Sequence, residues 1–436
     1  MTDFDIIVVG AGVAGGVFAA SQPTNRRILV VERDLSEQDR IVGELMQPGG
    51  ILALEKLNLG HLLENIDAQE VQGYHLINGN QHFTIDYSEI EGGKNGLGLR
   101  NGKFLSNIRK QLEQSENISL VQGNVTELIE ENGKVVGVNF TNSQGEKVSK
   151  FAHLTIVCDG PMSMLRNKLS KTNKKVFSYF IGLILYDLKL DFPKYGQMIL
   201  TGDSPILVYP THENAYRILI DYPGNKAPRM GEKSLEKLKD DVVNILPEEM
   251  RESFLKAMKE EQLKVMPNHS MKGQVFRKNG VVLLGDSLNM RHPLTGGGMT
   301  AVFSDILCLN EQLKTIDFKD ENKLQLAADN YYNNRHKGVE SINILADALY
   351  QVFIDKDLKE SCFEYLKSGG EQATGPLSIL SGINKNKNYL LKHFYKLTIQ
   401  HPMHFFTQPQ KQIRIYRNAA RIIRQTLKEE ERSTIL

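Results

Sequence analysis

The chain has 436 residues, 41% hydrophobic and 24% charged, with a formal net charge of +1. That length predicts two or three domains of ordinary globular composition. A balanced charge gives no overall field toward nucleic acid or an acidic substrate, and no run approaches the roughly 18 apolar residues of a spanning helix. Cys158, Cys308 and Cys362 are odd in number and far apart, with no CxxC pair and no metal-ligand spacing. They read as buried thiols in a reducing compartment. Met1-Thr2-Asp3 leads directly into a strand-like run, so no signal peptide is expected.

The first element is "FDIIVVGAGVAGG", a β-branched run from Ile6 to Val9 that ends on Gly10. Gly10, Gly12 and Gly15 make G-x-G-x-x-G, and a helix-compatible segment from Val13 to Ser21 follows. A second strand, Ile28 to Val31, closes on Glu32. Strand, glycine turn, helix, strand and acid in this order form a dinucleotide-binding fingerprint. Gly10 permits the tight turn and Gly12 lets backbone approach a diphosphate. Gly15 lets helix and strand pack closely, and Glu32 can accept from ribose hydroxyls. At this point NAD and FAD are equally compatible.

Two later strands end in acid-glycine pairs. "LTIVCDGPMSMLR" carries Asp159-Gly160, with Ser163 and Arg166 beyond; "NGVVLLGDSLNMRHP" carries Gly285-Asp286. Each alone is also a strand ending in a turn. Pro293 then sets a turn before Gly296-Gly297-Gly298, and a helix is expected from about Met299 to Gln312. Three adjacent glycines are costly in backbone entropy for an ordinary strand or helix and useful where backbone must approach a ligand.

In this order the motifs resemble FAD-dependent monooxygenases of the hydroxybenzoate hydroxylase fold. Within them the chain is similar to the squalene epoxidase family. The resemblance rests on "ERDLSEQDRIVGELMQPGG", "LLGDSLNMRHPLTGGGMT", "NILADALYQVF" and "GGEQATGP". It implies an α/β protein with a glutathione-reductase-type Rossmann-like FAD domain (1–72, 97–172 and 275–335). A β-sheet substrate domain (73–96 and 173–274) and a helical, membrane-associated C-terminal region (336–436) complete it. Carried over residue by residue, Gly10, Gly12, Val13, Ala14 and Gly15 form the first turn on FAD. Glu32 and Arg33 lie at the adenosine, Arg40 approaches the diphosphate, and Arg109 and Val125 touch the adenosine side. Asp159, Asp286, Pro293, Gly296, Gly297, Gly298 and Met299 complete the cofactor set. Tyr74 is the residue expected to order the active site.

The implied reaction is epoxidation of squalene to (S)-2,3-epoxysqualene with O2, through a flavin C4a-hydroperoxide. Electrons would come from NADPH through a separate cytochrome P450-type reductase, because no second fingerprint is present. No Ser-His-Asp, Cys-His, paired-carboxylate or metal-ligand arrangement emerges, which suits a cofactor that carries the hard chemistry. His292 reads equally as a structural residue fixing the glycine loop. The run "SYFIGLILYDL" reads more readily as core than as substrate wall.

Between Glu371 and Glu429 there is no acid, and the cations include Arg414, Arg417, Arg421, Arg424 and Lys428. Ile413, Tyr416, Ala420, Ile423 and Leu427 recur at helical spacing beside them. That is the pattern of an interfacial helix, placing the protein on an intracellular membrane such as the endoplasmic reticulum. The same pattern also describes a helix packed on its own domain. Two rival readings stay open: an FAD enzyme acting on another isoprenoid, and a non-catalytic prenyl-binding protein of this fold. An NAD-dependent dehydrogenase is disfavoured, because it has no need of the late Gly-Asp motif.

Overall fold

A computed structural model describes residues 2–170, 172–229, 231–260, 262–399 and 408–434. Residues 400–407 and 435–436 of the C-terminal region, and Met1, lie outside the described residues.

The first sheet is built on β1 (Phe4–Val9), followed by α1 (Val13–Ala20) and β2 (Ile28–Glu32). Ile6, Ile7 and Val8 are fully buried because both faces of the strand are covered, so the run is continuous rather than alternating. Each such side chain contributes on the order of 1.5–3 kcal/mol on burial. After β3 (Leu45–Met46) and α2 (Pro48–Lys56), the chain enters β4 (Gln69–Val71), β5 (Gly73–Asn78), β6 (Gln81–Asp86) and β7 (Gly96–Gly98). It returns through α3 (Asn101–Glu113) to the long strands β8 (Ile118–Glu131), β9 (Lys134–Asn142) and β10 (Lys147–Val157). β8 pairs β2 in parallel through Gln122 and then turns to pair β9. β10 leaves β9 at Phe151 and pairs β1 in parallel from Ala152 onward. Adding the later β16 (Val281–Leu283) beside β10 gives a five-stranded parallel core whose carboxyl ends share one edge.

Beyond α4 (Met164–Leu169) lies a second sheet of seven strands. It takes β11 (Lys175–Tyr186), β12 (Tyr195–Ile199), β13 (Ile206–His212) and β14 (Ala215–Pro223). It also takes β15 (Lys264–Ser270), together with β5 and β6 from much earlier in the chain. Two helices, α5 (Glu232–Ile245) and α6 (Glu248–Glu260), lie between β14 and β15. Their Val242, Met250 and Phe254 pack with Ile181, Leu183 and Leu185 of β11, while Phe180 points into the opposite core. Burial on both faces explains the unbroken apolar run of β11.

The remainder is helical: α7 (Gly298–Leu313), α8 (Glu321–Ile354), α9 (Lys356–Lys367), α10 (Glu371–Leu380), α11 (Lys387–Ile399) and α12 (Pro409–Thr434). α8 is continuous through residues 335 and 336, so the boundary drawn there from sequence falls inside one 34-residue helix. α12 packs through a face other than the stripe read from the sequence as interfacial. Ile415, Ala419 and Ile422 are the buried positions, with Gln412, Thr426 and Glu430 on the same face. Ile413 and Tyr416 are 54% and 51% exposed. The polar members of the packed face hid it from a search for apolar periodicity.

Candidate active site

The carboxyl edge of the parallel sheet gathers three glycine turns. Gly10 has φ +101°, and a Cβ there would stand 2.6 Å from the Cys158 carbonyl oxygen. At Gly15 an added Cβ would stand 2.0 Å from the Gly10 carbonyl oxygen, so glycine is obligatory for α1 to start so close to β1. Gly285, at φ +71°, closes against Ala14: a Cβ added there would stand 2.7 Å from the Ala14 methyl. This brings the Gly-Asp turn onto the first turn of α1, where Val13 and Ala14 are half-buried. The Glu32 carboxylate accepts from the Ala11 amide at 2.7 Å and from the Asp34 amide at 3.1 Å, so it braces the fingerprint turn. Arg109 approaches the same turn from α3, donating to the Ala11 carbonyl at 3.4 Å and the Ser36 carbonyl at 2.8 Å.

Arg33 and Arg40 are exposed, and Val125 lies on β8 just past the residues that pair β2. Asp286 keeps an accessible side chain at the bottom of a deep cleft. Lost solvation there raises its carboxyl, against the pull of Arg291, Arg40 and Arg166. Burial likewise raises Asp159, partly offset by Ser163 and Arg166, and its Oδ1 is buried without a partner. Both α1 and α7 begin on glycine N-caps, Gly12 and Gly297, that supply no side-chain hydrogen bond. Their first amides are therefore free to bind an anion.

The residues present fit FAD. At Gly12 and Gly298 a Cβ would meet nothing within 4 Å, so both bare backbones face open space. The orphaned Asp159 Oδ1 and the accessible, cleft-bottom Asp286 are acceptors suited to cofactor hydroxyls. Gly296 adopts φ +61° and caps the turn Pro293–Thr295, while Met299 is buried in the first turn of α7. Gly297 is different: a Cβ there would stand 2.8 Å from Ile342 of α8, so its glycine serves packing and not the cleft.

One residue that sequence reasoning passed over connects this loop to the rest of the site. Gln47, fully buried at the start of α2, donates from Nε2 to the Tyr74 hydroxyl at 2.6 Å and to the Thr295 carbonyl at 2.8 Å. Its Oε1 accepts from the Tyr87 hydroxyl at 2.5 Å. The only sequence signal was its place before Pro48-Gly49-Gly50, inside a stretch that carries the family resemblance. Nearby, Arg217 holds Glu44 bidentately at 2.8 and 3.0 Å, a buried pair that ties the segment before β3 to β14. Burial raises Tyr74 above the usual phenol range, so it remains a neutral hydroxyl.

Tyr74 also lines an apolar cavity. Its sheet wall is Tyr74, Leu76, Ile85 and Met198. The other walls come from Leu345, Leu349 and Phe353 of α8, Tyr365 of α9, Leu377 of α10 and Phe394 of α11. Most of the cavity wall is therefore made by the C-terminal helices. β11 contributes none of it and is plain core. His292 is structural too: Nδ1 accepts from the Leu294 amide at 3.3 Å, and Nε2 meets Ser178 Oγ at 3.0 Å. Its ring stacks on Tyr350 at 4.0 Å. The three cysteines are unpaired.

Fold and cleft define an FAD-dependent monooxygenase. The architecture matches p-nitrophenol 4-monooxygenase PnpA of Pseudomonas putida DLL-E4 (TM-score 0.69, 18% identity, 91% of this chain and 99% of that one). It also matches the flavin-dependent brominase Bmp2 (TM-score 0.68, 15% identity, 89% of this chain and 97% of that one). The profile described as glucose inhibited division protein A matches residues 5–176, and that of squalene epoxidase matches residues 151–416. Squalene epoxidase 3 of Arabidopsis thaliana is 40% identical, covering 91% of this chain and 78% of its own length. Squalene epoxidase erg1 of Schizosaccharomyces pombe is 38% identical over 91% of this chain and 90% of its own. The mouse squalene monooxygenase is 35% identical over 92% and 71%. The chain belongs to the squalene epoxidase family.

Proposed function

We propose that this protein epoxidises squalene to (S)-2,3-epoxysqualene, with FAD as cofactor and electrons delivered from NADPH by a separate reductase, at the surface of an intracellular membrane such as the endoplasmic reticulum. The observation that carries the reading is the apolar cavity lined by Tyr74, two hydrogen bonds from the glycine loop through Gln47. A linear hydrocarbon offers no hydrogen bonds, so shape and apolar contact must place it, and this cavity supplies both.

Bound and reduced, FAD would supply two electrons and activate O2, one atom of which would go to the alkene and the other leave as water. The protein's own residues do the rest. Glu32, Asp159 and Asp286 would accept from cofactor hydroxyls, and Arg40 and Arg109 would offset the diphosphate charge. The uncapped start of α7 would lend its amides and positive dipole end to negative charge gained by the cofactor. The walls of α8, α10 and α11 exclude water. Tyr74, held neutral and oriented by Gln47, fixes the end of the cavity nearest the loop.

Membrane attachment is supported by the surface of α11 and α12. Tyr395, Ile399, Ile413 and Tyr416 are exposed there. Arg417, Arg421, Arg424 and Lys428 are exposed along α12. Each cation near an anionic leaflet contributes about 1 kcal/mol. Some of the basic run serves the fold instead: Lys392 and Lys396 pair Glu371, Lys411 pairs Glu360 and Arg414 pairs Asp357. Among the described residues no helix is long and apolar enough to cross a membrane.

The test is turnover of squalene in detergent with FAD, NADPH, a cytochrome P450-type reductase and O2, read by mass spectrometry. Epoxide that requires both O2 and reductase supports the reading. A yellow, FAD-loaded protein that makes none would move the substrate to another isoprenoid.

A further inference from the structure

A buried chain of polar contacts links the C-terminal helix to the cofactor loop. Glu430 of α12 is 4% exposed. Its Oε1 accepts from Nδ2 of Asn343 on α8 at 3.0 Å, and its Oε2 lies 3.0 Å from Lys272, which also pairs Asp347 at 2.9 Å. Asn343 Oδ1 accepts from Arg291 Nε at 2.8 Å. Arg291 reaches on to the Gly298 carbonyl at 3.4 Å, and its charge acts on Asp286 across the cleft. With its amide oxygen turned toward the guanidinium groups, Asn289 accepts from Arg291 at 2.8 Å and Arg335 at 3.2 Å.

The amide of Asn343 is the switch point in this chain. An ionised carboxylate can only accept, so Glu430 compels the NH2 of Asn343 to face α12. The oxygen must then face Arg291. Without Glu430 the Asn343 NH2 keeps only the Asn289 oxygen, at 3.2 Å, so the hold on the amide, and through it on Arg291, is weaker.

We propose that Glu430 is a positioning residue for the FAD loop: it sets the Asn343 amide, and through it the Arg291 guanidinium beside Asp286 and Gly298. Cofactor retention is thereby coupled to the seating of the Glu430 end of α12 on α8. The inference rests on the FAD reading, which FAD binding by the unaltered protein tests on its own.

The experiment is titration of apo-protein with FAD, read by flavin fluorescence, with folding followed by far-UV circular dichroism. Glu430→Ala and Asn343→Ala should each weaken FAD binding about tenfold, as for a lost hydrogen bond to a charged group. The double variant should be no weaker than either single one. Glu430→Gln, which retains an acceptor, should keep most of the affinity. Ile415→Ala, which loosens the far end of α12, should lower Tm and leave the Kd for FAD unchanged. If Glu430→Ala does not fold, Asn343→Asp probes the same link by setting two carboxylates face to face, and the loss should reappear. Unchanged Kd in the folded variants, additive losses, or a Glu430→Gln variant as weak as Glu430→Ala would each overturn the proposal.

Discussion

Gln47 Nε2 holds the Tyr74 hydroxyl at 2.6 Å and the Thr295 carbonyl at 2.8 Å, so one amide joins the substrate cavity to the cofactor loop. Tyr74→Phe removes an acceptor at one end of that amide and keeps the ring. FAD content should be unchanged and kcat should fall about tenfold. Gln47→Ala also strands the Tyr87 hydroxyl and the Thr295 carbonyl, so both turnover and Tm should fall further. Equal behaviour of the two variants would show that the Thr295 contact carries nothing.

Asp286→Ala removes the acceptor at the bottom of the cleft, and flavin absorbance of the purified protein should drop. Full retention of flavin would sink the assignment of Asp286.

Glycines that face the cleft and glycines that face the protein should separate cleanly. Gly298→Ala places a methyl in open space, so the apo-protein should keep its Tm while FAD affinity falls at least tenfold. Gly297→Ala drives a methyl to within 2.8 Å of Ile342, so Tm should fall even without FAD. Differential scanning calorimetry of the two apo-proteins decides it.

Filling the cavity tests its occupant. Leu345→Trp or Leu377→Trp should raise KM for squalene severalfold while leaving FAD binding intact. A KM unchanged in both would place the substrate elsewhere.

The Asp221 carboxyl makes stability depend on pH in a defined direction. Burial raises it to about 6 from an ordinary 3.8, against hydrogen bonds from Ser178, Tyr350, Ser204 and Asn268. A raised carboxylate contributes stability that is complete below 3.8 and lost as pH rises through about 6. Buried His292, lowered to about 3 by desolvation, has the opposite slope: its contribution is present above 6.5 and lost on acidification. In the unaltered protein the two offset each other across pH 4–6. The Tm of Asp221→Asn relative to the parent should therefore improve from about pH 4 to pH 7. A constant difference across that range would remove Asp221 from the account.

The exposed patch on α11 and α12 gives the membrane prediction. Ile413→Asp with Tyr416→Asp should shift protein from the pellet to the supernatant when it is spun with anionic vesicles. The packed face of α12 is untouched, so Tm should hold. Sedimentation unchanged from the parent would leave the patch as ordinary surface.

The sequence by itself determined the opening strand-turn-helix-strand, the Gly-Asp turn and the glycine-led start of α7. Each of these is local: a φ near +100° at Gly10 or a missing Cβ at Gly15 is a requirement written in one residue type. Tertiary structure alone decided the rest, because the deciding contacts join residues far apart in the chain. Gln47 meets Thr295, Glu44 meets Arg217, and Glu430 meets Asn343. None of these has a periodicity or a spacing to read. The packed face of α12 was not legible for the same reason: which of two comparable stripes is buried depends on the partner helix and not on the stripe. The substrate cavity is the fullest case, since a void exists only where a sheet and four helices fail to touch, and no single segment encodes it.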